Sequence, residues 1–463
     1  MSLLPKAQLL KKPLPKYRDY PDPEQRLFLL QRICRRFEKQ ELHRSQSAVR
    51  QRIHDFLLAW FRPTCCENNT SYRLKTKMDI CSLDPNSDES SDSSLEDDGY
   101  CIISGKEWTI QSMKKDEVEE FFAWAFFCKE PHTLDVSERL ALQTLFNYIK
   151  TSYGLVFKPG RNRVLAGRRL TIDTVQPIHH PLLFYAAIYG LEVIGNILLR
   201  IYGFKRYQAK KGLVYWYRCG HEPQRKGPLL FFHGIAPAGK TFYIPFIMTN
   251  LFDSRRSLYL IENKCIASTL QSFEMISETE TISDVEYLLK FHGDDSRPLA
   301  LCGHSFGSCP VTWLLHSPKL RHKIQQLILI DPVSILLSDP DVMVNFLYSR
   351  LERRTKIVDA HLAGIRFVGS ELFTEHFLRR NFAWYNSELW IEDIPDTVNV
   401  LICLSENDQI LSAPNIRLEV ERHQRQNIDL VYWKGADHAD CIMNPRMWIQ
   451  IKHALRAHEH KKR

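Results

Sequence analysis

At 463 residues the chain exceeds one ordinary domain core, so a principal domain with additions is expected. Its net charge of +8 sits in residues 1–79, with 17 Lys/Arg against 8 Asp/Glu; the remainder holds 45 against 46, which leaves no broad basic surface there and makes nucleic acid an unlikely partner. Twelve scattered cysteines form no CxxC pair and no zinc spacing, so neither a metal nor a cofactor is expected, and free thiols in apolar runs suit a reducing, intracellular compartment.

The N-terminal stretch has no continuous apolar core of the kind that marks a secretory signal peptide. Residues 1–80 form a basic region, and 24–62 carry helical spacing with few breakers. Such a region fits an anionic membrane surface or, equally, a solvated basic helix. Residues 81–100 hold seven carboxylates between Asp84 and Asp98, with many serines, and read as an acidic disordered linker. Residues 101–211 read as mainly helical.

Within that region, 181–204 is the most apolar segment of the chain. It is long enough to span a bilayer, yet Glu192 lies at its centre. Its polar groups Tyr185, Tyr189, Glu192, Asn196 and Arg200 fall in one helical stripe, which predicts an amphipathic helix. Two placements follow: in a membrane interface on the cytoplasmic side, or packed on the main domain.

From 212 onward apolar strands alternate with helices: "LVYWYRC", "PLLFFHG", "SLYLIEN", "PLALCG", "QQLILID", "VNVLICL" and "DLVYWKG". This pattern predicts a mostly parallel central sheet with helices on both faces. The sheet is split into 212–334 and 396–463 by a helical, aromatic-rich insertion at 335–395, which is expected to form a cap.

The strand "PLALC" runs into Gly303-His304-Ser305-Phe306-Gly307 and then a helical stretch. A sharp strand-to-helix turn requires little bulk beside its central serine, and Gly303 and Gly307 meet that need. A serine hydroxyl is a poor nucleophile at neutral pH; it needs an imidazole to take its proton and a carboxylate to orient that imidazole.

These features resemble the α/β-hydrolase superfamily over about residues 212–460, with a helical N-terminal extension ahead of them. The resemblance implies Ser305 as nucleophile and His438, in the loop after the last strand, as base. The acid is Asp408, after the penultimate strand, with Asp331, after the strand that follows the turn, as the alternative. His233-Gly234 looks like the family's oxyanion loop, so the backbone amides of Ile235 and Phe306 would bind the oxyanion, with His304 packed beneath the turn.

The expected function is serine hydrolysis of carboxylic esters through an acyl-enzyme, with a lipid-type ester, such as a glycerolipid, as substrate. Acyl transfer or thioester cleavage on the same residues, and a non-catalytic membrane-associated scaffold, are the alternatives.

Overall fold

A computed structural model of the protein describes residues 21–41, 45–63, 100–103, 106–109, 113–163, 165–178, 180–221, 226–270, 276–348 and 360–460. The acidic stretch 81–99 lies outside them. The described residues form two compact units, one within 21–173 and the other within 174–348 and 360–460.

The first unit is mainly helical, with short antiparallel strand pairs at Phe61–Pro63 with Leu165–Gly167 and at Tyr100–Ile103 with Lys106–Thr109. The stretch expected as one helix over 24–62 is two, Pro23–Gln40 and Gln46–Leu58. In one straight helix Phe37 and Phe56 would stand about 28 Å apart; folding back brings their ring centroids to 5.2 Å. Asp22 and Gln25 close a capping box at the first helix's start. The helices Lys115–Phe127 and Val136–Tyr153 belong to the same unit, where Trp60 packs on Phe121 and Trp124 at 5.4 and 5.6 Å. Part of the basic surplus turns inward. Arg26, Arg32 and Arg36 are buried, and the Arg26 guanidinium sits 4.1 Å over the Phe127 ring and donates to the Phe126 carbonyl.

The second unit holds an eight-stranded sheet: β1 (Lys205–Gln208), β2 (Val214–Arg218), β3 (Leu229–Phe232), β4 (Leu258–Glu262), β5 (Leu299–His304), β6 (Ile324–Ile330), β7 (Asn399–Ser405) and β8 (Ile428–Trp433). Their spatial order is β8-β7-β6-β5-β3-β4-β2-β1. All pairings are parallel except those of β2 with β1 and with β4. This is the α/β-hydrolase fold.

The sheet starts earlier than the sequence pattern indicates, inside the region expected to be helical up to 211. β1 has no apolar run because an edge strand needs only backbone pairing and one packed side chain; Tyr207 stacks on Tyr215 at 5.6 Å. β3, β5, β6 and β7 are buried along nearly their whole length and are dominated by apolar residues.

Register then fixes the site. Phe232 pairs with Gly303, Ile330 with His304, and Ile330 with Cys403. The next residues, His233, Ser305, Asp331 and Leu404-Ser405, therefore emerge together along the carboxyl edge of the sheet.

The insertion at 335–395 is helical, with Pro340–Met343, Ala360–Gly369, Leu372–Asn381 and Trp384–Ser387. It is held by buried polar groups. Glu371 caps its helix through the Phe373 and Thr374 amides and accepts from the Tyr185 hydroxyl at 3.0 Å. Glu375 and Arg379, both fully buried, pair at 2.9 Å, and the Gln176 amide donates to Glu375.

The helix Leu182–Ile201 packs on this unit by a face that overlaps its polar stripe only in part, with Tyr185 buried and Tyr189 68 % exposed. Tyr185, Ile188, Gly195 and Leu199 are buried, whereas Leu182, Leu183 and Ile201 are 74, 79 and 73 % exposed. Tyr185 turns inward because Glu371 takes its hydroxyl, and Gly195 turns inward because Thr241 lies against it, 2.4 Å from where a Cβ would stand.

At the site the closest backbone approach is at Gly307, where a Cβ would lie 2.1 Å from the Phe232 carbonyl oxygen. Neither backbone can yield, so Gly307→Ala is expected to cost about 3 kcal/mol or more of stability. A denaturant midpoint equal to that of the wild type would contradict this packing.

Candidate active site

Ser305 sits at φ +51, in the left-handed region, at the head of a single 3-10 turn (Ser305–Gly307) that leads into the helix Ser308–His316. Strain of this kind, on the order of 1–3 kcal/mol, persists only where the surroundings fix it. The fixing contacts are at the two glycines: a Cβ on Gly303 would meet the Gly307 carbonyl oxygen at 2.5 Å. Asp331 and Ala439, at φ +40 and +69, are two further non-glycine residues held in the left-handed region at the same edge.

The structure brings Ser305, His438 and Asp408 into one line. The Ser305 Oγ is 3.0 Å from His438 Nε2, and His438 Nδ1 is 2.5 Å from Asp408 Oδ2. The second oxygen of Asp408 accepts from the amides of Ile410 and Leu411 at 2.8 and 3.0 Å, so its carboxylate is held on both sides. An acceptor-only carboxylate fixes the imidazole tautomer. Nδ1 carries the proton and donates it to Asp408, which leaves Nε2 free to accept from the serine hydroxyl. Burial lowers the His438 pKa, but the charge and hydrogen bond of Asp408, with Asp331 adding to them, outweigh it and hold the ring above its usual value.

The other histidines at this edge are locked neutral. The Tyr243 hydroxyl accepts from the Gly234 amide at 3.0 Å, so its own proton goes to His304 Nδ1 at 2.8 Å. Burial, then His438 and His233, push His304 well below the usual range. His233 donates from Nδ1 to the Gly234 carbonyl and accepts the Asn263 amide at Nε2; burial brings it down to about 4. Of the three, only His438 hydrogen-bonds a carboxylate.

The loop at Ile235 lies beside the turn. A Cβ on Gly234 would stand 2.9 Å from both His304 Nδ1 and the Ser305 Cβ. The amides of Ala236 and Ala238 donate to the Ile266 and Ala267 carbonyls of the segment after β4, and the Ile235 amide has no protein acceptor among the described residues. Lys240, only 3 % exposed, ties the far end of the loop to Glu262 at 2.6 Å, and Trp216 donates to the same carboxylate. From the insertion, Phe377 and Phe382 meet the Phe306 ring at 5.3 and 6.0 Å.

Asp331 is fully buried beside this line without entering it. It accepts from the Ser405 amide and hydroxyl and from the Ala439 amide at 2.8–3.1 Å. One oxygen of Asp331, one of Asp408 and a ring nitrogen of His438 fall within 4.8 Å of one another, a spacing that a cation site would share. Hydrogen donors already face both oxygens of each carboxylate, so this is a charge network rather than an open ligand set. Glu406 and Asp440, near the same loops, bind the Gly435 and Asp437 amides.

The residues that sequence reasoning missed are Tyr243, Lys240 and Glu262. Glu262 left one trace, a carboxylate closing an otherwise apolar strand; Tyr243 and Lys240 left none.

No family model matches the chain, and no curated protein matches it. Among solved structures it is similar to the carboxylesterase CesB of Bacillus subtilis, at 15 % identity over 59 % of this chain and 98 % of that one, with a TM-score of 0.42. A putative lipase of Acinetobacter baumannii is similar at 15 % identity, over 61 and 98 %, with a TM-score of 0.41. A bacterial membrane phospholipase A is similar at 16 % identity, over 60 and 93 %, with a TM-score of 0.40. Likenesses this distant assign no role to any residue here.

Tyr243→Phe would leave the Gly234 amide and His304 Nδ1 buried without partners, at an expected cost of about 1–3 kcal/mol. Equilibrium unfolding checks this, and an unchanged midpoint would show that the hydroxyl bridges nothing of consequence.

Proposed function

We propose that this protein is a serine hydrolase that cleaves carboxylic esters, with Ser305 as nucleophile, His438 as general base and acid, and Asp408 as the orienting carboxylate. The observation that carries the reading is the continuous line from Ser305 Oγ through His438 to Asp408, at 3.0 and 2.5 Å. Ser305 attacks the ester carbonyl as its proton passes to Nε2. The amides of Ile235 and Phe306 take the oxyanion, and the imidazolium returns its proton to the leaving alcohol. Water, activated by the same imidazole, then releases the acid from Ser305.

The substrate class we infer is a lipid-type ester presented at a membrane surface. Phe306, Phe377 and Phe382 put aromatic rings where the cap meets the nucleophile turn. The helix Leu182–Ile201 turns Leu182, Leu183, Ile194, Ile197 and Ile201 to solvent. It is long and apolar enough to cross a bilayer. Its inner face, however, is engaged with Glu371 of the cap and with Thr241 beside the oxyanion loop, which favours a helix lying in the interface. Lys205 is exposed just beyond its end, where lipid phosphates would lie. The free thiols of Cys34, Cys128, Cys302, Cys309, Cys403 and Cys441 suit the reducing side of a membrane.

Ser305→Ala is expected to lose at least about 10³-fold in ester turnover. With the wild type, kcat/KM should rise with pH along a limb lying above pH ~6.5, because His438 must be neutral to accept the proton and its pKa is raised. A Ser305→Ala variant as active as the wild type would refute the reading. Flotation with anionic liposomes tests the membrane step. Ile194→Glu with Ile197→Glu should abolish it, and equal flotation would remove the interface from the account.

A further inference from the structure

Asp331 is a buried carboxylate that the proposed chemistry leaves without work, yet its position is costly. It is fully buried at φ +40, on the edge from which Ser305 also emerges. A purely structural cap would be served by a neutral acceptor at much lower desolvation cost. What the charge faces is informative. Its donors are the Ser405 amide and hydroxyl, at the end of the strand that leads to Asp408, and the Ala439 amide, next to His438. One side chain thus ties the acid-bearing strand to the histidine-bearing loop.

The surrounding titratable groups are few. From β5 comes His304, kept neutral by burial, and beside it Tyr243, whose hydroxyl burial keeps protonated. From β7 and its loop come Cys403 and Asp408, and from the loop after β8 come His438 and Cys441, whose Sγ lies 3.6 Å from Asp331. Burial pushes both thiols well above their usual range, so they stay protonated. The charged set is therefore Asp331, Asp408 and His438, all within 4.8 Å.

We propose that Asp331 is a second carboxylate for His438. It is a positioning residue that fastens the histidine loop to the sheet and adds its negative charge beside that of Asp408 when the imidazolium forms. This rests on the hydrolase reading above. Asp408 remains the partner of Nδ1, and Asp331 acts through His438 without touching substrate. Burial and the neighbouring Asp408 raise the Asp331 carboxyl to about 6, so at pH 8 it is ionised and supports His438, and it takes up a proton as the pH falls through that value.

The test is the pH dependence of ester hydrolysis by the full chain, with Ser305→Ala as background. Asp331→Asn keeps shape and removes charge. Its kcat/KM at pH 8 should fall roughly tenfold or less, and its acid limb should move to lower pH by on the order of half a unit, because His438 then ionises less readily. A merely structural role would lower activity without moving the limb, and an unmoved limb overturns the proposal. Asp408→Ala gives a second reading that does not need Asp331→Asn to fold. With a neighbouring carboxylate its loss in kcat should be about 10²–10³-fold, short of the ~3 × 10⁴ that removing the acid costs a serine protease triad. A loss of ~10⁴ or more would overturn the proposal. A wild type no more active than Ser305→Ala would instead overturn the hydrolase reading on which it rests.

Discussion

The site depends on one steric constraint, the approach of the turn after β5 to the end of β3. With no side chain at Gly307, that turn lies so close to the Phe232 carbonyl that a Cβ would sit 2.1 Å from it. That contact holds Ser305 at positive φ and sets its Oγ on the edge where the Ile235 loop, Asp331 and His438 converge. Gly234 repeats the device from the other side, letting its loop come within van der Waals range of His304 and Ser305. The glycines act by what they leave empty.

Electrostatics then distinguishes residues that share a type and a place. Three buried histidines occupy one sheet edge. His233 and His304 are held neutral by burial; Nδ1 of the first donates to the Gly234 carbonyl, and Nδ1 of the second accepts from Tyr243. His438 alone hydrogen-bonds a carboxylate, which with Asp331 reverses the effect of the same burial. A similar contrast separates the two acids: Asp408 reaches Nδ1, whereas Asp331 spends its lone pairs on the strand and loop that carry the other two.

Much of this was legible in the sequence, because strand ends and chain order are local signals. The apolar runs gave the buried strands, Gly303 and Gly307 gave the turn, and the positions of Asp408 and His438 after the last two strands gave the partners of Ser305. The edge strand Lys205–Gln208 was not legible, since its pairing needs no apolar pattern. The break between the two N-terminal helices follows from the folding back of Phe37 onto Phe56, a tertiary contact. The helix 182–201 shows the limit most clearly: its polar stripe was visible, but which face turns inward is decided by Glu371 and Thr241, far away in sequence.

The central claim is that Ser305 is an activated nucleophile. Labelling the intact protein with a fluorophosphonate, followed by peptide mass spectrometry, tests it most directly. The expected result is a single adduct on Ser305, lost in His438→Ala. An unlabelled Ser305 in folded protein, or an adduct that persists without His438, would contradict the account.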